Sequence, residues 1–172
     1  MMDICMFINH FIKNHRYANM VMIVYTILFF PAITMAQTIT QTTQLQFGML
    51  ARPASGSHNF TLNTSNGTSG TGVLLSGTPL SGVYQVTRGA FGVGTITINV
   101  NNINSGNPNL TLGSFTGNWG GTAIASFPQS GLTRPGGGPG TTLRLGATVT
   151  YNSSIPINTT INPSFDIVVV QP

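Results

Sequence analysis

Apolar residues recur at every second position along most of the chain after residue 36, and this alternation limits the folds that the chain can adopt. The clearest case has Ile96, Ile98 and Val100 alternating with threonine and asparagine, and the longest case runs over residues 143–151. Because successive side chains of a β-strand point to opposite faces, this period predicts strands with one buried face and one polar face. No helical period persists beyond a turn or two, so the sequence predicts an all-β fold.

Clusters of glycine, asparagine, serine and proline separate these runs, and such clusters are typical of turns. The runs predict about eight or nine short strands in a single domain. They cover residues 45–49, 60–62, 73–75, 84–87, 95–100, 110–115, 123–127, 143–151 and 165–169. We expect two antiparallel sheets packed face to face, with a small barrel as the alternative. A parallel β-helix or a propeller would show a repeat of fixed length, and the sequence has none.

Residues 1–36 have the three parts of a secretory signal peptide. Lys13 and Arg16 supply the positive part, residues 20–30 are apolar, and small residues occupy the two positions that a signal peptidase inspects before Gln37. We therefore predict cleavage before Gln37 and export to the periplasm, the outer surface or the medium.

Other interpretations of this leader remain open. Translation could begin at Met20 or Met22, which would shorten the positive part. The apolar run is short for a hydrocarbon core of about 30 Å, but a single-span anchor is the alternative to cleavage. No cysteine follows the apolar run, because the only cysteine is Cys5, so we expect no lipoprotein anchor.

Beyond the leader we predict one domain over residues 37–172, with residues 37–43 as a flexible N-terminal tail, because chain termini are usually poorly ordered. This tail is polar and β-prone, with Ile39 as its only large apolar residue. Its alternative role is that of a strand donated to the sheet of a neighbouring subunit. Residues 165–170 are the better candidate to complete the chain's own sheet.

Charged side chains are scarce in residues 37–172, and this scarcity excludes several classes of function. One acid, Asp166, cannot supply the paired carboxylates of general acid–base catalysis. Zinc or calcium needs three or more ligands, and only His58 and Asp166 are available. A triad of a serine with these two residues lacks the Gly-x-Ser-x-Gly elbow. We therefore predict no enzyme activity, no metal and no cofactor.

The basic residues do not indicate a nucleic-acid partner. Phosphate binding needs cations clustered on one face, whereas the arginines after residue 36 are spread along the chain. They are Arg52, Arg88, Arg134 and Arg144. We expect the membrane to matter only for export.

Trp119 lies in Gly117-Asn118-Trp119-Gly120-Gly121, which the sequence predicts to be a flexible loop. An exposed indole there could stack on a sugar ring, and Tyr84 and Tyr151 would be further contacts in such a ligand site. The competing interpretation is that the indole closes one end of the sandwich, because tryptophan buries a large area.

Four motifs follow one another between residue 45 and the C-terminus. They are Leu-Gln-Phe-Gly at residues 45–48, Val-Tyr-Gln-Val-Thr at 83–87 followed by Thr-Ile-Thr-Ile at 95–98, Leu-Arg-Leu-Gly-Ala-Thr-Val at 143–149, and Phe-Asp-Ile-Val-Val-Val at 165–170. In order and spacing they resemble a family of exported bacterial domains catalogued as a domain of unknown function, the one numbered forty-four zero two. The resemblance implies an immunoglobulin-like sandwich similar to fimbrial subunits, without known enzyme activity.

Export, the all-β pattern and the missing catalytic groups together predict a secreted or cell-surface structural and adhesive protein. Its partners would be copies of itself or other surface subunits, joined by the pairing of strand edges. The alternative is a secreted carbohydrate-binding module that uses Trp119 to bind a glycan. Concentration-dependent assembly would favour the first function, and sugar binding by a monomer would favour the second.

Overall fold

The computed structural model describes residues 37–89, 94–136 and 138–171. The predicted leader, residues 1–36, lies outside them. The described chain is all-β and its strands pair antiparallel, which confirms the predicted fold class. The strands are β1 (Thr38–Thr43), β2 (Gly48–Leu50), β3 (Ser57–Leu62), β4 (Thr68–Gly70), β5 (Leu74–Ser76), β6 (Gly82–Thr87), β7 (Thr95–Asn104), β8 (Leu110–Trp119), β9 (Thr122–Ile124), β10 (Gln129–Thr133), β11 (Thr141–Asn152), β12 (Thr160–Ile161) and β13 (Ser164–Val170).

The large sheet is organised around β11. The first half of β11 pairs with β6 and the second half with β3, while β8 pairs along its other side. Beyond these neighbours, β1 continues the sheet from β6, β4 from β3 and β9 from β8. Leu143, Leu145 and Val149 of β11 are fully buried. Neighbouring strands on both sides of β11 explain this complete burial.

Two three-stranded sheets complete the fold, one in the order β10-β7-β13 and the other in the order β12-β2-β5. Phe165 of β13 contacts Tyr84 of β6 and Phe115 of β8, with ring centroids 6.2 Å and 5.1 Å apart. Apolar side chains from all three sheets form one buried cluster. This layering is consistent with a β-sandwich.

The alternation predicted for β7 is confirmed. Ile96, Ile98 and Val100 point into the core and are buried, whereas Thr97 and Asn99 between them are partly exposed. The period-two pattern therefore identified both the strand and the face that it buries.

The described chain has thirteen strands, more than the eight or nine that the sequence predicts. β4 is fully exposed and β12 has only two residues, so neither carries an apolar alternation. β10 buries a single residue, Leu132. The missed strands are those held by backbone pairing with little apolar burial of their own.

The prediction of a flexible tail over residues 37–43 is wrong for β1. This strand pairs antiparallel with β6, and Thr38 lies opposite Thr87. Ile39 packs against the core, whereas Thr40 is exposed. Threonine and isoleucine are β-branched and favour strands, so the composition that suggested a donated strand also suits this place in the chain's own sheet.

β8 extends well past the predicted residues 110–115 and ends at Trp119. The alternation predicts only its first part, because a β-bulge then changes the phase of the alternation. Between Gly113 and Thr116, two residues of β8 face a single residue of β11. Ser114 within this bulge has a φ of 46°, an uncommon value for a residue other than glycine. The inward positions then continue, one residue out of phase, as far as Trp119.

Candidate assembly edge

β13 is a strand with apolar side chains on both faces. Phe165, Ile167 and Val169 point towards the core and are partly buried against it. On the opposite face, Val168 and Val170 are 37% and 51% exposed. Strands that are apolar on both faces are usually covered on both faces, so β13 exposes more apolar surface than its sequence would suggest.

Only one side of β13 is paired. β7 runs along that side from Ser164 to Val170, and no strand in the described part of the chain pairs with the other side. An unpaired side presents a row of free backbone N–H and C=O groups to which another strand can bind. We call this unpaired side of β13 the open edge.

The inward side chains beside the open edge are less well covered than those of β7. The inward residues of β7 are all buried, whereas the inward residues of β13 are all only partly buried. β7 has neighbours on both sides within its sheet, and β13 has one. A strand added at the open edge would therefore cover apolar surface that β13 leaves accessible.

The open edge lacks most of the features that keep natural edge strands from pairing. Such strands are often very short or carry lysine, proline or a bulge. β13 has seven residues and contains neither lysine nor proline, and its pairing with β7 is irregular only between Ser164 and Asp166. Its one charge, Asp166, is exposed and accepts a hydrogen bond from Asn102 Nδ2 at 2.5 Å. This composition over residues 164–170 was visible in the sequence, but the lack of a second neighbour was not.

The corresponding edge of the large sheet is polar. On the side where Phe165 contacts Tyr84, the large sheet continues through β6 to β1, whereas the smaller sheet ends at β13. Four of the six residues of β1 are exposed, and all four are threonine or glutamine. Water can bind these side chains, so the edge formed by β1 is suited to solvent and the open edge is not.

The structure places Trp119 in the core and contradicts the hypothesis of an exposed indole on a flexible loop. Trp119 is the last residue of β8 and is 2% exposed. Its Nε1 donates a hydrogen bond to the backbone carbonyl oxygen of Thr133 at 2.6 Å, which ties β8 to the end of β10. This position agrees with the interpretation that the indole closes part of the sandwich, and a buried indole cannot stack on a sugar.

The two tyrosines of the predicted ligand site are buried as well, at 7% exposure for Tyr84 and 1% for Tyr151. Burial raises the pKa of Tyr84 to about 12 and also raises the pKa of Tyr151. The Tyr151 hydroxyl lies against Gly72, where a side chain would collide with it. Neither ring is available to a ligand, so the structure does not assemble the three aromatic residues into a site.

His58 and Asp166 lie in different sheets. His58 of β3 donates a hydrogen bond from Nδ1 to the carbonyl oxygen of Thr71 at 2.9 Å, and Asp166 of β13 binds Asn102. Within residues 37–89, 94–136 and 138–171 there is no group of three or more His, Cys, Asp or Glu side chains that could hold a metal ion. The absence of enzyme activity and of a cofactor stays a prediction from the sequence.

Comparison of the chain with protein-family models, with curated proteins and with solved structures gave no match. The resemblance to the exported bacterial family therefore stays a prediction that rests on the four motifs. The part of the chain that the structure describes contains no helix long and apolar enough to cross a membrane.

Proposed function

We propose that this protein is an exported, non-catalytic structural and adhesive subunit with an immunoglobulin-like sandwich. It assembles with further copies of itself when a strand of one copy adds to the open edge of another. The observation that supports this proposal is β13, a seven-residue apolar strand that is paired on one side only within the described residues. The signal-like leader supports export.

Strand addition would use both kinds of group that the open edge exposes. Backbone hydrogen bonds to the unpaired side of β13 would supply affinity, and alternate side chains of the added strand would pack beside Phe165, Ile167 and Val169. Removing apolar surface from water stabilises an interface by roughly 25 cal/mol per Å² before the entropy of association is subtracted. The partly buried inward residues of β13 are the surface available for this gain.

The scarcity of charge favours a second copy of this chain as the occupant. After residue 36 the chain carries one acidic side chain and no lysine, so neighbouring copies bring few like charges together. Beside the open edge, Val168 and Val170 lie opposite Asn99 and Thr97 of β7. Asp166 is the one charged side chain of β13, so copies approach with little electrostatic repulsion around the edge. The carbohydrate-binding alternative is less well supported, because the Trp119 indole on which it depends is buried.

The test measures association of the exported protein, recovered from a secreting host, by size-exclusion chromatography with light scattering over a wide concentration range. We expect the average mass to rise with concentration. Val168→Lys places an ammonium group on the exposed face of β13, where natural edge strands carry charge to prevent pairing. This change should weaken association at least about tenfold, which corresponds to about 1.4 kcal/mol.

Val73→Lys is the matched control, because Val73 is also an exposed valine, at 58%, and lies outside β13. It introduces the same charge and should leave association unchanged. Melting temperatures of both variants will show whether the fold is intact. A protein that stays monomeric at every concentration, or equal weakening by the two variants, would overturn assembly through the open edge.

A further inference from the structure

The turn between β3 and β4 contains the one Asn-Gly sequence of the chain, at Asn66 and Gly67. Asparagine followed by glycine is especially prone to deamidation, because glycine has no side chain to hinder attack by its backbone nitrogen on the asparagine side chain. Both residues are exposed, so water and hydroxide ions can reach them. The turn therefore places a labile amide at an accessible position.

A neighbouring asparagine holds the nitrogen that would attack. Gly67 N donates a hydrogen bond to Asn63 Oδ1 at 2.8 Å, and the same oxygen accepts a second bond from Ser65 N at 2.9 Å. Asparagine side chains form such local bonds to the backbone in many turns. The Gly67 nitrogen must lose its proton before it can attack, and the bond to Asn63 stabilises the protonated form. A Cβ at residue 67 would lie 2.6 Å from Asn63 Nδ2, so this close contact also favours glycine.

The asparagine that would be attacked is fixed as well. Asn66 has a φ of 65°, in the left-handed region that asparagine tolerates better than most residues. Its Oδ1 accepts a hydrogen bond from Ser81 N at 2.6 Å. Ser81 is 1% exposed and directly precedes β6, so this bond ties the turn to the large sheet. While it is intact, the Asn66 side chain cannot rotate freely to present Cγ to the Gly67 nitrogen.

The protecting contacts belong to a part of the sheet that can open locally. β4 has three residues, all of them exposed, and it lies at the end of the large sheet with β3 as its neighbour. Segments with little apolar burial open at a lower cost in free energy than core strands do. Opening of the turn breaks the bonds to Asn63 and Ser81 together. Asn66 is then as reactive as in an unfolded chain.

We propose that Asn66 is a deamidation site that records opening of the β3–β4 turn, and that Asn63 suppresses the reaction while the turn is closed. In the open turn, the Gly67 nitrogen loses its proton to hydroxide and bonds to Cγ of Asn66, which closes a five-membered succinimide. The bond between Cγ and Nδ2 breaks, and ammonia takes up a proton from water as it leaves. Water then adds to either carbonyl carbon of the succinimide, which opens to aspartate or isoaspartate.

The isoaspartate product prevents the turn from closing as before. Its main chain runs through the former side chain and is longer by one methylene group. The oxygen that bonds to Ser81 N then belongs to the main chain and is no longer free to turn towards it. A buried N–H group without a partner is unfavourable, so the modified turn is less stable than the original. Each modified molecule therefore retains a permanent mark of having opened.

Mass spectrometry of peptides from the purified protein, incubated folded and in urea, tests the proposal. Deamidation raises the mass of the peptide that contains Asn66. We expect the reaction to be much slower in the folded protein than in urea. A reaction confined to the open form follows the population of that form. Asn63→Ala removes the acceptor of two hydrogen bonds and should speed the reaction of the folded protein about tenfold, which corresponds to about 1.4 kcal/mol.

Two variants separate the role of the Asn63 oxygen from a general loss of stability. Asn63→Asp keeps an oxygen that can accept both N–H groups and should stay close to the wild-type rate. Thr61→Ala removes a hydroxyl of β3 that bonds to Thr148 Oγ1 at 2.8 Å but leaves Asn63 in place, so it should accelerate the reaction much less than Asn63→Ala. Equal rates in the folded protein and in urea would overturn the proposal. Equal acceleration by Asn63→Ala and either control variant would also overturn it.

Discussion

β11 and β13 are both built from alternating apolar residues, but they occupy opposite positions in their sheets. β11 has neighbours on both sides, and Leu143, Leu145 and Val149 are fully buried. β13 has a neighbour on one side, and Ile167 and Val169 stay partly exposed. The comparison shows that alternation determines which face of a strand is buried, while the neighbours of the strand determine how completely it is buried.

Truncating one inward side chain in each strand should give the largest difference between β11 and β13, measured as the loss in the free energy of unfolding. Leu145→Ala in β11 should lower the free energy of unfolding by about 2–5 kcal/mol, because it leaves a cavity surrounded by protein. Ile167→Ala in β13 should lower the free energy of unfolding of the monomer by clearly less, because water and mobile side chains can fill the space that the truncation leaves. Urea unfolding of both variants at low protein concentration measures the two losses. Equal losses would mean that β13 is already covered as completely as β11.

Ionisation of Tyr84 tests the contact between the sheet of β11 and the sheet of β13, because Tyr84 of β6 packs against Phe165 of β13. Burial raises the pKa of Tyr84 from 10.0 to about 12, so the unfolded chain releases this proton at a lower pH than the folded chain does. The stability contributed by the neutral phenol is complete below about pH 10 and is lost as the pH rises towards about 12. The wild-type melting temperature should therefore fall over this interval.

Tyr84→Phe is the control for that prediction, because it keeps the ring against Phe165 and removes the ionisable hydroxyl. Thermal melts at several alkaline pH values should show a smaller decline for this variant than for the wild type. Parallel declines in the two proteins would assign the alkaline loss to other groups, such as Tyr151, whose pKa burial also raises.

The smallest effect on folding is expected for Asp166→Asn, which removes the one charge of β13. Asp166 is exposed, so the free energy of unfolding should change by less than about 0.5 kcal/mol. Association measured by light scattering should become modestly stronger, since charge on an edge strand opposes pairing. Weaker association would show instead that the carboxylate makes a favourable contact with the neighbouring copy.

The strands that sequence analysis found are those in which alternation continues without interruption. β7 and β11 are of this kind, and both buried faces agree with the alternation. The alternation predicts only the first part of β8, because the bulge at Ser114 shifts the alternation by one residue. The sequence therefore predicts a loop over residues 117–121 and leaves a surface ligand site as one of two interpretations of Trp119. A search that allowed one change of phase would have extended β8 to Trp119.

The character of the two sheet edges could be predicted only in part. The polar composition of β1 and the apolar composition of β13 are visible in the sequence. Their places at the ends of sheets depend on pairing with β6 and β7, and no local pattern specifies a partner distant in the chain. For this reason the sequence predicts a tail over residues 37–43 and does not predict the open edge of β13.

The central place of β11 also affects when the protein can fold. β11 is the strand that joins β3 and β6 into one sheet, and both of these precede it by a large part of the chain. Pairing between distant segments is slow, because the intervening chain must first lose entropy. Synthesis proceeds from the N-terminus, so β1 to β10 emerge before the strand that joins β3 and β6. We therefore expect the large sheet to form only after β11 has been synthesised, late in the production of the chain.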